Sequence, residues 1–435
     1  MAQLLRGGTV ISCDGTTVPK QADVHIVDGA IAAILAPGTP TPAGTVEVRI
    51  DGLWLLPGFV QTHTHLVQTL FRGMADDLVL LDWLRTRIWP LEAAHDSDSV
   101  YWSARLGLTE MLLSGTTAIL DMGTVHHTDE VFHAAQESGL RACIGKAMMD
   151  RDNEAGLSEP TGVALQSSID LADRWHNNGR LRYGFAPRFI PSCTEELLHG
   201  ARDAARSRGC LIHTHASENT DEVELVRSMT GKDNIVALND LGLTGSDVVL
   251  AHCIHLTAEE QTILATTGTH VAHCPSSNMK LGSGLASIAD LRAQGVSCTL
   301  GADGAPCNNR MDMFSEMRLA ALIQASQAGP GRLPASAILQ MATAGGADAL
   351  GLDTGRVAVG HPADLITVDP NVVHAWGGGD PAGALVYSMH PSAVRSVWIA
   401  GELRVSDGAV VGWSTTETVD GCAQALRRVR DRASL

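Results

Sequence analysis

The chain has 435 residues, 45% hydrophobic and 18% charged, which is the composition of an ordinary globular protein with a large core. Its 31 basic and 48 acidic residues give a net charge of −17, an excess that excludes nucleic acid and anionic membrane surfaces as expected partners. The start, MAQLLRGGTV, lacks the features of a secretory signal, and no uninterrupted apolar stretch predicts a membrane span. Nine dispersed cysteines without a CxxC pair indicate reduced thiols and predict a cytoplasmic location.

The two ends of the chain share one texture. The runs LLRGGTVIS, DVHIVDGAIAAIL and TVEVRIDGLWLLPG are short and β-rich, and Asp28-Gly29 is a hairpin turn signal. The runs ADLITVD and SVWIAGELRVSDGAVVG repeat the texture near the end. The sequence therefore predicts a small β-sandwich domain built from both termini, residues 1–57 and 359–435.

The middle segment, residues 58–358, alternates apolar strands with amphipathic helices. Eight such units predict an α/β fold of the (β/α)8 TIM-type barrel, with a doubly wound sheet as the alternative. Polar residues decide between the two, because they fall at the carboxyl ends of the predicted strands and only a closed barrel brings those ends to one mouth. These residues are His63, His65, Arg188, His215, Glu218, His252, His273 and Asp303.

Four of these side chains have the character of metal ligands. His63 and His65 end the first strand, and both imidazoles point the same way because residues i and i+2 share a strand face. His215 closes the fifth strand and Asp303 the eighth. Three imidazoles and one carboxylate suit a single divalent ion, with zinc expected and iron as the alternative. The competing interpretation, four unrelated polar residues, has to explain why all four fall at strand ends.

Two further side chains complete the predicted chemistry. Glu218 lies three residues past His215, where an acid can pass a proton to a bound substrate. His252 ends the sixth strand and is placed to polarise an attacking water or to steady an oxyanion. The alternative for Glu218 is a helix-start acid, since the polar run NTD follows it.

Five motifs resemble the signatures of the amidohydrolase superfamily: PGFVQTHTH, HTHASEN, LAHCIHL, AHCPSSNMKLGSG and GADGAPCNN. The matching branch holds guanine deaminases, methylthioadenosine/S-adenosylhomocysteine deaminases and triazine hydrolases, and the resemblance covers essentially the whole chain. It implies one zinc or iron ion, hydrolytic removal of a ring amino group, and a homodimer. By motif, it makes His63, His65, His215 and Asp303 the metal ligands, with Asp303 also accepting a proton from water, Glu218 the proton shuttle and His252 the water-orienting histidine.

Within this branch, two sub-patterns resemble enzymes with different substrates. LFRGMADDLVLLDWL and the WPLE that ends at Glu92 resemble adenosine-type deaminases, in which this glutamate holds ribose hydroxyls. Arg188 in APRFIPSC and Gln68 in an HxHxxQ pattern resemble guanine deaminases, in which the two residues grip the base. An arginine fork suits a carbonyl acceptor such as the 6-oxo group of guanine. The alternative is that Arg188 pairs with an acid such as Asp121 or Glu92 and does not meet substrate.

The sequence therefore favours a metal-dependent aminohydrolase that deaminates a guanine-like purine or a related azine and releases ammonia. Deamination of an adenosine-type nucleoside is the alternative. A triazine dechlorinase and a non-enzymatic scaffold are less favoured, the latter because every expected ligand is present. The expected partner is a small heterocyclic substrate, and a homo-oligomer is what the resemblance implies.

Overall fold

The computed structural model describes residues 2–153 and 155–434. Its central sheet is parallel, and its strands pair with their neighbours in chain order. After a short break, the eighth strand continues into Asp303–Gly304, which pairs with the first strand through Asp303 and Thr64. The sheet thus returns to its first strand, consistent with a TIM-type barrel. The strands are Phe59–His65, Thr116–Met122, Arg141–Gly145, Leu181–Pro187, Leu211–Ala216, Val248–His252, His270–His273 and Ser297–Leu300, with Ala147–Met148 beside the fourth.

Helices follow the strands and cover the outside of this sheet. Local sequence sets their ends: Thr257 begins one helix in a capping box with Glu260, and Gly268 ends it in the left-handed conformation. The helices of the middle segment are Leu80–Trp83, Leu84–Ile88 (a π-helix), Trp89–Ala93, Ser97–Leu113, Thr128–Ser138, Thr161–Trp175, Glu195–Arg208, Thr220–Thr230, Asn234–Asp240, Ala258–Thr267, Pro275–Lys280, Ile288–Ala293, Ala305–Asn308, Met313–Ala328, Ala335–Met341 and Ala344–Ala349. Short 3-10 turns occupy Leu66–Phe71 and Ile190–Ser192.

Two glycines of the GADG motif allow the eighth strand to approach the first closely. A Cβ atom at Gly301 would lie 2.6 Å from the carbonyl oxygen of His63, and one at Gly304 would lie 2.1 Å from Oε1 of Gln68. Neither position has room for a side chain. The motif therefore sets the distance between the strand that carries Asp303 and the strand that carries the two histidines.

Strands from both termini form two further sheets, as the shared β-rich texture predicts. Side chains of the two sheets meet in one apolar cluster, to which Leu5 and Val24 contribute from the first sheet and Leu365 and Trp398 from the second. The sandwich domain itself stays a prediction. The first sheet contains Ala2–Arg6, Asp23–Val27, Ala30–Leu35 and Thr45–Arg49, and the second contains Thr9–Val10, Lys20–Gln21, Trp54–Pro57, Leu365–Val368, Val394–Ile399, Glu402–Ser406 and Ala409–Val410.

The chain ends in elements that the sequence analysis did not foresee. After the helix Pro381–Tyr387 and the 3-10 turn Pro391–Ala393, a long helix spans Thr415–Ala433. Its apolar face, with Cys422, Ala425 and Val429, packs on Leu70 and Leu91 of the middle segment rather than on a terminal sheet. The β-rich texture of the preceding residues does not extend into this helix.

The cysteines match the pattern expected of reduced thiols. All nine are buried, and none takes part in a disulfide among the residues that the structure describes. In the same part of the chain, no helix combines the length and the apolar character needed to cross a bilayer.

Glu316, in the helix Met313–Ala328, holds together the loops that follow the seventh and eighth strands. Its carboxylate accepts hydrogen bonds from the backbone nitrogen and the hydroxyl of Ser276, at 3.2 and 2.5 Å, and from the side-chain amide of Asn308 at 2.8 Å. The group is fully buried, and burial raises the pKa of Glu316 to about 8. The side chain is therefore largely neutral in the folded protein at pH 7.

Replacing Glu316 with glutamine should change how stability depends on pH. A carboxyl whose pKa is raised on folding holds a proton that the unfolded chain releases, so folding loses stability between pH 4.5 and about 8. Glutamine removes this loss. The free energy of unfolding of Glu316→Gln, relative to the natural protein, should rise by roughly 1–3 kcal/mol from pH 6 to pH 8 in chemical denaturation. The exposed Glu259→Gln variant is the control, and an equal pH dependence in all three proteins contradicts the prediction.

Candidate active site

Backbone carbonyls fix the orientation of two imidazoles at the barrel mouth. Nδ1 of His65 lies 2.9 Å from the carbonyl oxygen of Met122, and Nδ1 of His215 lies 2.7 Å from that of Arg188. Because a carbonyl oxygen only accepts hydrogen bonds, both Nδ1 atoms must carry the proton. The Nε2 atoms of both rings are then lone-pair donors that face the interior of the site.

These lone pairs converge with those of two more side chains. Nε2 of His65 lies 3.2 Å from Nε2 of His215, and Oδ1 of Asp303 lies 3.2 Å from Nε2 of His63 and 3.4 Å from Nε2 of His65. Two unprotonated nitrogens cannot hydrogen-bond to each other, so their close approach is favourable only with a cation between them. Two overlapping groups of side chains are each close enough to hold a divalent ion such as zinc: His63, His65 and Asp303, and His63, His215 and His252.

Asp303 and His252 both sit at strand ends in strained backbone. The φ angle is 63° at Asp303 and 73° at His252, in the left-handed region that side chains other than glycine rarely adopt. Oδ2 of Asp303 lies 3.9 Å from Nε2 of His252. Burial opposes ionisation of Asp303, but the neighbouring histidines, His63 first, outweigh it and hold the pKa of Asp303 well below its usual range. The carboxylate is therefore ionised.

Glu218 faces His252 and does not serve as a helix cap. Its Oε2 lies 3.4 Å from Nε2 of His252, whereas Asn219 caps the following helix by accepting from the backbone nitrogen of Asp221. Burial raises the pKa of Glu218 to about 7. Burial opposes the charged form of His252, but the carboxylates of Glu218 and Asp303 outweigh it and raise the pKa of His252. Glu218 can therefore hold a proton near neutral pH.

Arg188 pairs with Glu92, which is the alternative that the sequence left open. Its guanidinium donates to Glu92 at 2.6 and 3.3 Å, and the side-chain nitrogen of Gln68 donates to the same carboxylate at 2.8 Å. All three residues are buried. The donor fork that would grip a base carbonyl is thus directed at Glu92, although Gln68 and Arg188 both line the cavity.

A cavity lies at the strand ends and reaches the metal-ligand side chains His65, His215 and Asp303. Its polar lining comes from the residues already described together with Glu222, which accepts from the backbone nitrogen of Glu218 at 2.8 Å. The rest of the lining is one apolar cluster, which we call the apolar wall and which consists of Leu80, Trp83, Leu84, Phe189 and Leu281.

Sequence reasoning named Asp121, at the end of the second strand, only as a possible partner of Arg188 and missed its actual contacts. It accepts from the hydroxyl of Thr64 at 3.0 Å and from the backbone nitrogen of Leu66 at 2.7 Å, the two neighbours of His65. Burial raises its pKa to about 7. The available signal was an acid in an otherwise apolar strand, TTAILDMG. The Asp121 side chain holds the loop on either side of His65 in place.

His213 was missed as well. Its Nε2 lies 2.7 Å from Nδ1 of His63, and both rings are buried. A metal on Nε2 of His63 requires the proton on Nδ1, which His213 is placed to accept. The signal was a second HxH motif, His213-Thr-His215, whose two imidazoles share a strand face.

The parallel barrel-type sheet brings the polar residues at its strand ends together at one cavity, the arrangement in which such barrels carry their active sites. A sequence model described as the amidohydrolase family matches residues 54–404, and the chain belongs to this family, which confirms the resemblance seen in its motifs.

The chain is similar to named proteins at moderate sequence identity. The chain is 40% identical to the 5-methylthioadenosine/S-adenosylhomocysteine deaminase of Desulfitobacterium hafniense over 376 residues, which is 86% of this chain and 85% of the relative. The fold is similar to that of an adenosine deaminase from Xanthomonas campestris solved with bound zinc, with a TM-score of 0.93, 30% identity and coverage of 99% and 98%. It is also similar to Escherichia coli guanine deaminase, with a TM-score of 0.87, 27% identity and coverage of 93% and 99%. The prediction of a deaminase, a hydrolase of carbon–nitrogen bonds, is thereby confirmed.

Removing the hydrogen-bond acceptor behind His63 should weaken binding of a divalent ion. We expect His213→Leu to lower zinc affinity about 10–100-fold, because Nδ1 of His63 loses the partner that fixes its tautomer. His213→Gln keeps an acceptor and should recover part of the loss. Zinc titration of metal-free protein against a chelating dye measures both effects. His133→Gln, at an exposed position, is the control, and an unchanged affinity in His213→Leu refutes this role.

Proposed function

We propose that the chain is a zinc-dependent aminohydrolase that deaminates an adenosine-type nucleoside, with His63, His65, His215 and Asp303 holding one divalent ion. The observation that carries the metal assignment is the 3.2 Å approach of two imidazole nitrogens whose protons are held elsewhere by carbonyls. A divalent cation at such a site lowers the pKa of a water molecule from 15.7 to about 7.

The residues around that water divide the proton transfers between them. Asp303, ionised and with Oδ2 facing His252, takes a proton from the attacking water. His252 orients the water through Nε2, because its Nδ1 is engaged with Oδ1 of Asn278 at 2.8 Å. Glu218 gives its proton to the ring nitrogen beside the amine-bearing carbon. Water adds to that carbon, and the proton taken by Asp303 passes to the amine. The carbon–nitrogen bond then breaks while the added hydroxyl returns a proton to Glu218, and the products are the oxo compound and ammonia.

Two findings favour a nucleoside over the guanine-like base that the sequence favoured. The 40% identical relative is named for nucleoside substrates, and the similar zinc-bound structure is named an adenosine deaminase. The Arg188 fork also donates to Glu92 through Nη1 and Nη2, so the bidentate face that would grip a base carbonyl is already engaged. Glu92 is the position that resembles the ribose-binding glutamate of adenosine-type enzymes.

A guanine-like base is the second candidate. Gln68 and Arg188 line the cavity, and Oε1 of Gln68 is a buried acceptor without a hydrogen-bond partner among the described residues. A base N–H would satisfy it. The similarity to a guanine deaminase structure supports the same candidate.

A direct substrate comparison tests the proposed function. Zinc-loaded protein should release ammonia from 5′-methylthioadenosine at least 100-fold faster, in kcat/KM, than from guanine. A coupled ammonia assay and the change in ultraviolet absorbance measure this independently. Glu92→Gln should lower activity on the nucleoside. Preference for guanine would overturn the nucleoside assignment, and no ammonia from either would overturn the aminohydrolase proposal.

Glu218→Gln should lower kcat by about 10²–10⁴-fold, the usual contribution of a general acid. Because the protonated form of Glu218 acts and its pKa is about 7, kcat/KM of the natural protein should fall as pH rises through 7. The variant's residual activity should lack that limb. Glu224→Gln, an exposed change on the following helix, is the control. An unchanged pH profile in Glu218→Gln speaks against the assigned role.

A further inference from the structure

The apolar wall occupies the part of the cavity that the proposed chemistry does not use. Its five side chains come from three places in the chain: the segment Leu80–Ile88, the residue after Arg188, and the end of the helix Pro275–Lys280. They are 3–6% exposed and pack on one another. A substrate part that extends from the reacting ring towards the wall meets hydrocarbon and aromatic surface there, and the indole N–H of Trp83 is the polar atom of these five side chains.

The apolar wall also has no cationic side chain among its five residues. Among the described residues that line the cavity, Arg188 is the only lysine or arginine, and Glu92 neutralises it at 2.6 Å. Lys146, buried at the end of the third strand, is likewise paired, with Glu159 at 2.6 Å. The other ionisable lining groups include three acids, Glu218, Glu222 and Asp303. A substrate carboxylate placed against the apolar wall would lose its hydration without meeting a lysine or an arginine of the described lining that is not already paired.

We propose that the apolar wall determines specificity, and that the nucleoside carries a small, uncharged, apolar substituent at its 5′ position. The inference rests on the proposed function, which sets the amine-bearing carbon against Asp303 and Glu218. A methylthio or methyl group would contact the wall, whereas the amino-acid tail of S-adenosylhomocysteine would bury a carboxylate against it.

The two kinds of 5′ substituent should differ strongly in their effect on kcat/KM. One missing methylene in an apolar pocket changes kcat/KM by about 10–200-fold, and an unpaired buried charge costs more than a missing contact. The wall therefore favours an apolar substituent by contact and disfavours a charged one by desolvation. The two effects act in the same direction.

Three nucleosides distinguish this inference from the proposed function. Zinc-loaded, full-length protein should show kcat/KM values for 5′-methylthioadenosine and 5′-deoxyadenosine at least 100-fold above that for S-adenosylhomocysteine. Equal or faster turnover of S-adenosylhomocysteine overturns the inference and leaves the proposed function standing. No turnover of any of the three overturns the proposed function, and the inference with it.

Variants of the wall test the same point from the protein side. Leu281→Arg places a cation in the wall and should raise the ratio of kcat/KM for S-adenosylhomocysteine over 5′-methylthioadenosine at least tenfold. Leu285→Arg is the matched control, because it lies on the same loop but is exposed and outside the cavity lining, and its ratio should not change.

Leu80→Ala is the second variant, for the case that Leu281→Arg does not fold. It should lower kcat/KM for 5′-methylthioadenosine about tenfold and leave S-adenosylhomocysteine little changed. Circular dichroism and zinc content establish that each variant is folded and loaded. If both substrate ratios stay at the natural value in folded variants, the wall does not determine specificity.

Discussion

A neutral imidazole has one proton, and the position of that proton constrains the whole site. The carbonyl oxygens of Met122 and Arg188 accept hydrogen bonds from Nδ1 of His65 and Nδ1 of His215. The Nε2 atoms of the two rings therefore carry lone pairs, and they face each other 3.2 Å apart. The barrel has to hold the strands and loops around these rings in fixed positions. Asp121 holds the residues on both sides of His65, and Gly301 allows the eighth strand to approach His63. Strain at Asp303 and His252 is stored in a framework that is buried and hydrogen-bonded around them.

Much of this arrangement can be predicted from the sequence because parallel strands end at one edge of a sheet. Once eight apolar runs were recognised, His63, His65, His215, His252 and Asp303 had to lie near one another. The roles of Asp121 and His213 depend on contacts between neighbouring strands, which no spacing along the chain reports. The partner of Arg188 depends on how the segment before Glu92 folds over the barrel mouth. The sequence analysis missed the terminal helix for two reasons. Few apolar residues mark its buried face, and the helix follows directly on a β-rich segment with turns.

The candidate site separates reaction from recognition. The groups proposed to move protons are ionisable, buried and close to the strand ends, whereas the remaining lining is apolar or consists of a neutralised ion pair. A low-polarity surround strengthens the electrostatic effect of each proton-carrying group on the reacting carbon.

Arg188 has two separate tasks, one for its backbone and one for its side chain. Its carbonyl oxygen accepts from the ring and the backbone nitrogen of His215, at 2.7 and 3.1 Å, while its guanidinium binds Glu92. Every amino acid brings the same carbonyl, so the main chain performs the metal-side task whatever residue stands at this position. The side chain has a separate task, which is to neutralise the buried Glu92. A different side chain at position 188 would thus change the pairing of Glu92 but keep the carbonyl oxygen that lies 2.7 Å from Nδ1 of His215.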